Sequence, residues 1–336
     1  MQRSAYFDNA KFILIFFVVF GHIIQSFMSE HEIINQMYLF IYSFHMPAFI
    51  LISGFFAKGI YEKDYIKKLC EKLLLPYAIF QLIYTIFYFF LFDQSTFTLD
   101  LFNPQWSLWF LISLFFWNMM VIAFKKLPKL VSLALAFGFG LAVGYIDFIN
   151  DYLSLSRTFV FFPFFLLGYF LSTEHFKKIR STPVRLIAFI VIISSCLLVY
   201  FFPNINETWF FGSKPYNHME SLYSVALLKR VGVYCINLAM ITCFFAFIPN
   251  RQFFFTDWGK NTLYVYLLHG FFVRLLRVSG IESYFDSFEA LIILVIASGL
   301  LTCLLSSHFI VTCTQPIIEL STSKVKQLKN RLQLTQ

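Results

Sequence analysis

Lys11 and His22 stand eleven residues apart in the first apolar run of the chain. Eleven steps of 100° bring two side chains back to within about 20° of one helix face, about 16 Å apart along the axis. Ionisable groups are costly inside a bilayer, so a cation and an imidazole stacked on one apolar helix are a candidate site. Imidazole is the side chain suited to taking and returning a proton near neutral pH. Asp8 lies near the same face, where it can cap the helix start, and Gln25 lies near the other end. His45 sits beside Pro47 on the next apolar run, at a similar depth by the helical rise. Pro47 removes a backbone donor and frees the carbonyl near Ser43, which opens the helix next to this imidazole. Two imidazoles in a wet cavity suit acyl or proton transfer. The competing reading is a pair of hydrogen-bonded interior histidines with Lys11 as a boundary anchor.

Further polar groups interrupt the apolar runs. Lys68 and Lys72, spaced i, i+4 ahead of Pro76, suit either charge anchoring or a pocket for the phosphates of a donor, with Lys as a point charge. Arg157 opens a Phe-rich run at an outer edge, where it either snorkels or holds an anion or a sugar. His269 lies about 12 Å from the inner boundary of its run, which puts it in the opposite half from His22. Arg274 and Arg277 end that run and are expected to snorkel outward. Trp106 and Trp109 fit an aromatic belt better than a stacking platform for sugar. A loop with Trp209, Tyr216, Asn217, His218, Glu220 and Tyr223 has a composition that suits carbohydrate, as many loops do.

The elements that must position these groups are membrane helices. The 336 residues are 59% hydrophobic and 13% charged, with 48 Phe. A soluble domain carries about 25% charged residues, and one ball of this size cannot hide so much apolar surface. A soluble enzyme, a disulfide-stapled domain and a disordered chain are excluded. The apolar runs are continuous rather than alternating, which argues against a β-barrel. Ten spans are expected, at 10–28, 34–57, 73–92, 106–124, 130–146, 158–173, 184–202, 228–248, 261–277 and 288–313, the fifth, sixth and ninth being short. Putting alternate loops on one side collects 20 of the 26 Lys and Arg there, and 7 of the 18 acidic residues. The positive-inside rule then places both termini in the cytoplasm. The chain is therefore read as an all-α polytopic domain over 1–320, followed by a short basic cytoplasmic tail over 321–336. The first span is too long for a cleaved leader. The six cysteines form no CxxC and are read as small buried hydrophobes, with no disulfide framework and no metal site. The net charge of +8 points to anionic lipid rather than nucleic acid, for which no motif is present.

Six stretches carry a resemblance: YFDNAKFILIFFVVFGH (Tyr6 to His22), FHMPAFILISGFF (Phe44 to Phe56), KKLCEKLLLPY (Lys67 to Tyr77), WSLWFL (Trp106 to Leu111), RTFVFFPFFLLGYFL (Arg157 to Leu171) and GKNTLYVYLLHG (Gly259 to Gly270). In this order, over nearly the whole chain, they resemble the integral-membrane acyltransferase-3 family, its fucose 4-O-acetylase-like branch in particular. The resemblance implies a ten-helix bundle in a bacterial plasma membrane. Such a bundle moves an acyl group, usually acetyl, from cytoplasmic acyl-CoA to a hydroxyl of an extracytoplasmic or lipid-linked sugar or polysaccharide. No tightly bound cofactor is implied; acyl-CoA is a co-substrate. The family's basic-x10-His motif falls on Lys11 and His22, and its cytoplasmic basic motif on Lys68 and Lys72. Many relatives have Arg at these basic positions, and Lys keeps the charge without the bidentate fork. His22 would deprotonate the acceptor or carry the acyl group, with His45 sharing the proton. Lys11, Lys68 and Lys72 would hold the donor's phosphates, and Arg157, Trp109 and His269 would line the acceptor side. The large extracellular domain that some relatives append is missing here. A glycan exporter is the alternative reading; the sequence shows neither a repeat nor a pair of broken helices to favour it.

Overall fold

Lipid offers backbone amides no partner, so long Phe-, Ile- and Leu-rich runs satisfy themselves as helices. The computed structural model describes residues 4–28, 31–59, 64–149, 152–281 and 288–319. Its main helices are α1 (Ala5–Ile24), α2 (Glu32–Tyr42), α3 (His45–Phe56), α4 (Leu75–Leu91), α5 (Trp109–Phe124), α6 (Lys129–Ala142), α7 (Leu155–Phe170), α8 (Thr182–Phe201), α9 (Tyr223–Phe247), α10 (Thr262–Val278), α11 (Phe288–Ser306) and α12 (His308–Ile318). The tail at 321–336 lies outside the described residues.

Seven helical stretches among the described residues are long and apolar enough to cross a membrane, and the pair α11–α12, bent by 61°, makes an eighth if counted as one span. The protein is thus an all-α polytopic membrane protein. Two of the ten expected spans, the fifth and ninth, are shorter helices, over Lys129–Tyr145 and in α10. A helix walled by protein need not match the bilayer as one facing lipid must. α10 runs beside α1 from Gly259, which touches the backbone of Asp8, to Arg277, which reaches the His22 carbonyl. The tenth expected span breaks at Ser307, so a broken pair does exist, contrary to the sequence reading. Asn261 donates to the Ser306 carbonyl that the break frees (2.9 Å).

The second span is also interrupted. α2 ends at Tyr42, and α3 restarts at His45 with Pro47 in its first turn, where a missing N–H costs nothing. α8 stands at the periphery, only 11% buried, and turns Leu186, Ile187, Phe189 and Ile190 outward. That surface suits lipid. The cysteine reading needs correction here: all six thiols are free, yet Cys196, Cys235 and Cys313 are exposed and only Cys243 is fully buried. On an outward face a thiol is as acceptable to lipid as a leucine, so apolar surroundings in sequence did not imply burial.

The closest helix pairing is α3 against α7. Gly54 and Gly168 lie at the contact, and a Cβ on Gly54 would fall on the Phe165 carbonyl, one on Gly168 on the Leu51 carbonyl. Backbone cannot step aside as a side chain can, so the two glycines set the interhelical distance. Gly54→Ala is expected to cost about 3 kcal/mol, the upper end for overpacking. A thermal melt in detergent checks this, and an unchanged midpoint would show that α3 and α7 slide freely.

The connection after α4 folds back along that helix. Tyr77 donates to the Leu101 carbonyl (2.7 Å), and the fully buried Gln81 donates to the carbonyls of Asp100 (2.5 Å) and Asn103 (2.8 Å). Gln81 also accepts from the Gln105 amide (2.8 Å). Gln81 precedes the end of α4 by ten residues, so the chain descends about 15 Å before α5 begins. Asp100 closes the turn by accepting from the Asn103 side chain and the Phe102 amide, which hold its carboxyl below the usual carboxylate range. A lowered folded pKa stabilises above the ordinary value, and the effect is lost as pH falls through the lowered one. Gln81→Leu strands three backbone groups and is expected to cost about 3 kcal/mol or more. Faster proteolysis within 93–105 is the readout; unchanged cleavage would show that the glutamine does not hold the loop.

Candidate functional site

Four elements bring the site together. α1 carries His22, the turn between α2 and α3 carries Tyr42 and His45, the folded-back loop delivers Trp106 and Ser107, and α10 supplies His269. His22 is half-buried and opens onto a cavity of 680 Å³. The same cavity is lined by Lys68, Glu71 and Lys72 at the basic end, by Ser107, Trp109 and Tyr266, and by Thr262 and Glu319. This volume lies within the range of small-molecule sites, roughly 300–1,000 Å³.

Aromatic rings enclose the His22 imidazole. Trp106 lies 4.5 Å away between ring centroids, and His269 stacks on it at 5.5 Å and 22°. His22 Nδ1 is 3.3 Å from the Tyr42 hydroxyl. Tyr42 in turn meets His45 edge-on, with centroids 4.4 Å apart. His45 therefore communicates with His22 through Tyr42 rather than by contact.

The tautomers of the two outer histidines follow from their partners. His45 Nδ1 faces the Ile41 carbonyl (2.9 Å), and His269 Nδ1 faces the Val265 carbonyl (3.0 Å), each four residues back. A carbonyl only accepts, so both Nδ1 atoms carry the proton, and in the neutral ring both Nε2 atoms present a lone pair. The Ile41 carbonyl also accepts from the Phe44 amide (3.2 Å), in the turn that ends α2, so His45 is tied to the break itself. Among the described residues His269 Nε2 is buried with no hydrogen-bond partner, and so is Ser107 Oγ. Tyr266 fixes Ser107 by donating to its carbonyl. An acceptor and a donor left unpaired beside one imidazole are costly unless a ligand uses them.

Several sequence expectations need revision against this geometry. The opposite-half placement does not separate His269 from His22. Counted from the inner rim, His269 at about 12 Å and His22 at about 16 Å above Lys11 differ by only a few ångströms, so the two rings straddle the midplane and stack across it. Trp106 and Trp109 are not belt residues, because the loop before them folds inward; Trp106 contacts His22 and Trp109 lines the cavity. Arg274 and Arg277 do not snorkel away. Arg277 donates to the His22 carbonyl (3.1 Å) and to Gln25 Oε1 (2.6 Å), and both guanidiniums lie over Trp106, at 4.9 Å and 5.4 Å. Arg157 sits over Trp109 at 5.2 Å, so it backs the cavity wall through that indole. Trp209 and Tyr216 are buried, with Tyr216 bonded to the Leu141 carbonyl (2.9 Å), and serve packing rather than an open sugar platform.

Lys11 stands apart from Lys68 and Lys72. Its ammonium pairs with Asp8 (2.7 Å), lies over Phe56 and opens onto a second cavity of 710 Å³ that also holds Lys177 and Arg180. The shared face of α1 is real, but neighbouring helices divide it into two spaces. Among the described residues no group of His, Cys, Asp and Glu is arranged to hold a metal ion. Tyr42, Ser107 and Arg277 are the groups missed in the sequence reading. Only Tyr42 left a signal, a hydroxyl three residues before a histidine beside a helix break.

Comparison with known proteins follows the same lines. A family model described as an acyltransferase domain matches residues 4–310. Nodulation protein NolL of Sinorhizobium fredii (strain NBRC 101917 / NGR234) is 26% identical over 303 residues, covering 82% of this chain and 79% of the relative. Nodulation protein NolL of Mesorhizobium japonicum (strain LMG 29417 / CECT 9101 / MAFF 303099) is 26% identical over 298 residues, covering 82% and 78%. No solved structure matches the chain.

Proposed function

The chain belongs to the acyltransferase family whose model spans it and is a membrane acyltransferase; from that premise we propose that it moves an acetyl group from cytoplasmic acetyl-CoA to a sugar hydroxyl presented from the opposite face of a bacterial plasma membrane. The observation that carries this reading is the single cavity that joins Lys68 and Lys72 to His22. Lys68 and Lys72, with Glu71 and Glu319 beside them on the lining, offer two ammonium groups to the donor's phosphates, and the apolar walls suit a pantetheine arm. The thioester carbonyl would then lie beside Ser107, with His22 facing the acceptor. His22 takes the proton of the attacking hydroxyl, and Ser107 donates to the oxyanion that forms on the thioester carbonyl. Collapse of that intermediate forms the sugar ester and breaks the C–S bond, and the proton returns from His22 to the leaving thiolate. Tyr42 and the stacked His269 fix the ring. A thioester is already activated, and every proton in this sequence has a protein carrier.

Purified protein in sealed vesicles, with labelled acetyl-CoA on one side and a sugar acceptor on the other, tests the reading. Labelled ester on the sugar and free CoA in equal amount are the expected products. Sugar crossing the bilayer without thioester turnover would support an exporter instead. The broken pair α11–α12 is a feature that suits such a protein. Its end, Ile318 and Glu319, lines the same donor cavity, which gives the break a place in acyl-CoA access.

A further inference from the structure

α10 carries two arginines, Arg274 and Arg277, on one face, at i and i+3. Both are half-buried, and neither meets a carboxylate among the described residues. Their partners are neutral: the Tyr88 hydroxyl for Arg274 (3.3 Å), and the His22 carbonyl and Gln25 for Arg277. Arg277 Nε is buried with no hydrogen-bond partner among the described residues. Arg274 also lies over Tyr88, and both guanidiniums face the Trp106 indole. Among the described residues, cation–π contacts and neutral acceptors orient the two cations, and none of these partners carries a negative charge. Two like charges held together in partly desolvated surroundings call for an anion.

Position says which anion. At the helical rise, Arg274 and Arg277 lie about 7.5 and 12 Å beyond His269 along α10, on the side away from Lys68 and Lys72. The donor's phosphates belong with Lys68 and Lys72; the cavity they line reaches His22, and the two arginines lie beyond His22, outside that lining. That offset from the imidazoles is a distance one or two pyranose units would span.

We propose that Arg274 and Arg277 form an acceptor subsite for an oxyanion, a phosphate or carboxylate carried by the glycan one or two sugar units from the hydroxyl that is acylated. This rests on the acyl-transfer reading for the identity of the acceptor, though the anion site itself does not. The planar fork of each guanidinium suits two oxygens of one anionic group. Trp106 then has two tasks: it packs on His22 and holds the pair of forks at a fixed distance from it. The protein would accordingly discriminate among glycans by charge as well as by shape.

The test uses the full chain in phosphatidylcholine vesicles, with glucose, glucose 1-phosphate and glucuronic acid as probes. Binding is read first, by calorimetry without donor, and transfer from labelled acetyl-CoA second. Glucose 1-phosphate or glucuronic acid is expected to bind at least roughly tenfold tighter than glucose, and to lose that advantage in Arg274→Gln and in Arg277→Gln. The anionic-to-neutral ratio of kcat/KM should fall by the same factor. Arg274→Lys should restore part of the ratio, because charge survives and the fork does not. Equal binding of all three probes to the wild type, or a ratio unchanged in both Gln variants, overturns the assignment. Displacement of the anionic probe by doping the vesicles with phosphatidylglycerol would give the site to a lipid headgroup and overturn it as well. Wild type that binds the anionic probe but acylates no sugar supports the anion site and removes the acyl-transfer reading instead.

Discussion

His22→Ala is expected to lower acyl transfer by about 10²–10⁴-fold while leaving acyl-CoA binding within a factor of two or three. The two effects separate because the imidazole lies at the end of the cavity remote from Lys68 and Lys72. No other base replaces it. His45 is turned away to the Ile41 carbonyl and reaches the site only through Tyr42. His269 offers a lone pair from within the stack, but its ring is tied to Val265 and fully buried. His22→Gln is the control for volume: it keeps a polar group in the wall and removes the proton carrier, so it should fall as far as alanine. Tyr42→Phe should fall much less, since it removes one hydrogen bond to the ring and not the ring. Measuring transfer and donor binding on the same vesicles decides the point. A His22→Ala protein that inserts, binds donor and transfers within tenfold of wild type would mean that the base lies elsewhere, and His269 would be the group to test next.

The opening helix was legible because its signal is periodic. Eleven residues return to one helix face whatever surrounds the helix, so Lys11 and His22 were placed correctly relative to each other. What periodicity cannot say is which neighbour divides that face. Phe56 and the Asp8 carboxylate close off Lys11, while Trp106 and Tyr42 enclose His22. The break beside His45 was also legible, since proline acts on its own backbone. Depth was not. It was counted from the ends of apolar runs, which holds only if each run begins at a membrane boundary. The segment before Trp106 folds back along α4 under the control of Gln81, and a few ångströms of rise decide on which side of the midplane His269 is counted. Both misplacements hid the same thing, the stack of His22, Trp106 and His269. Arg274 and Arg277 were misjudged for a related reason. Snorkelling is a rule for side chains facing lipid, and these two face an indole and a helix end inside the bundle.

The division of α1 into two spaces makes a second large effect testable. Lys68→Glu/Lys72→Glu is expected to raise the KM for acyl-CoA roughly 100-fold with kcat little changed at saturation, because two ammonium contacts to phosphate become two repulsions at the mouth of the cavity. Both lysines are exposed, so the penalty should shrink with added salt as charges in solvent are screened. Lys11→Gln should change that KM less than about threefold, for its ammonium is held by Asp8 and opens onto the other cavity. The comparison is decisive because one helix ties Lys11 to His22 while one cavity ties Lys68 and Lys72 to it. A KM raised equally by Lys11→Gln would move the donor's nucleotide end across to Lys177 and Arg180, leaving only the pantetheine arm in the His22 cavity. A KM unmoved by the double reversal, at low salt, would show that the donor does not enter past Lys68 and Lys72 at all.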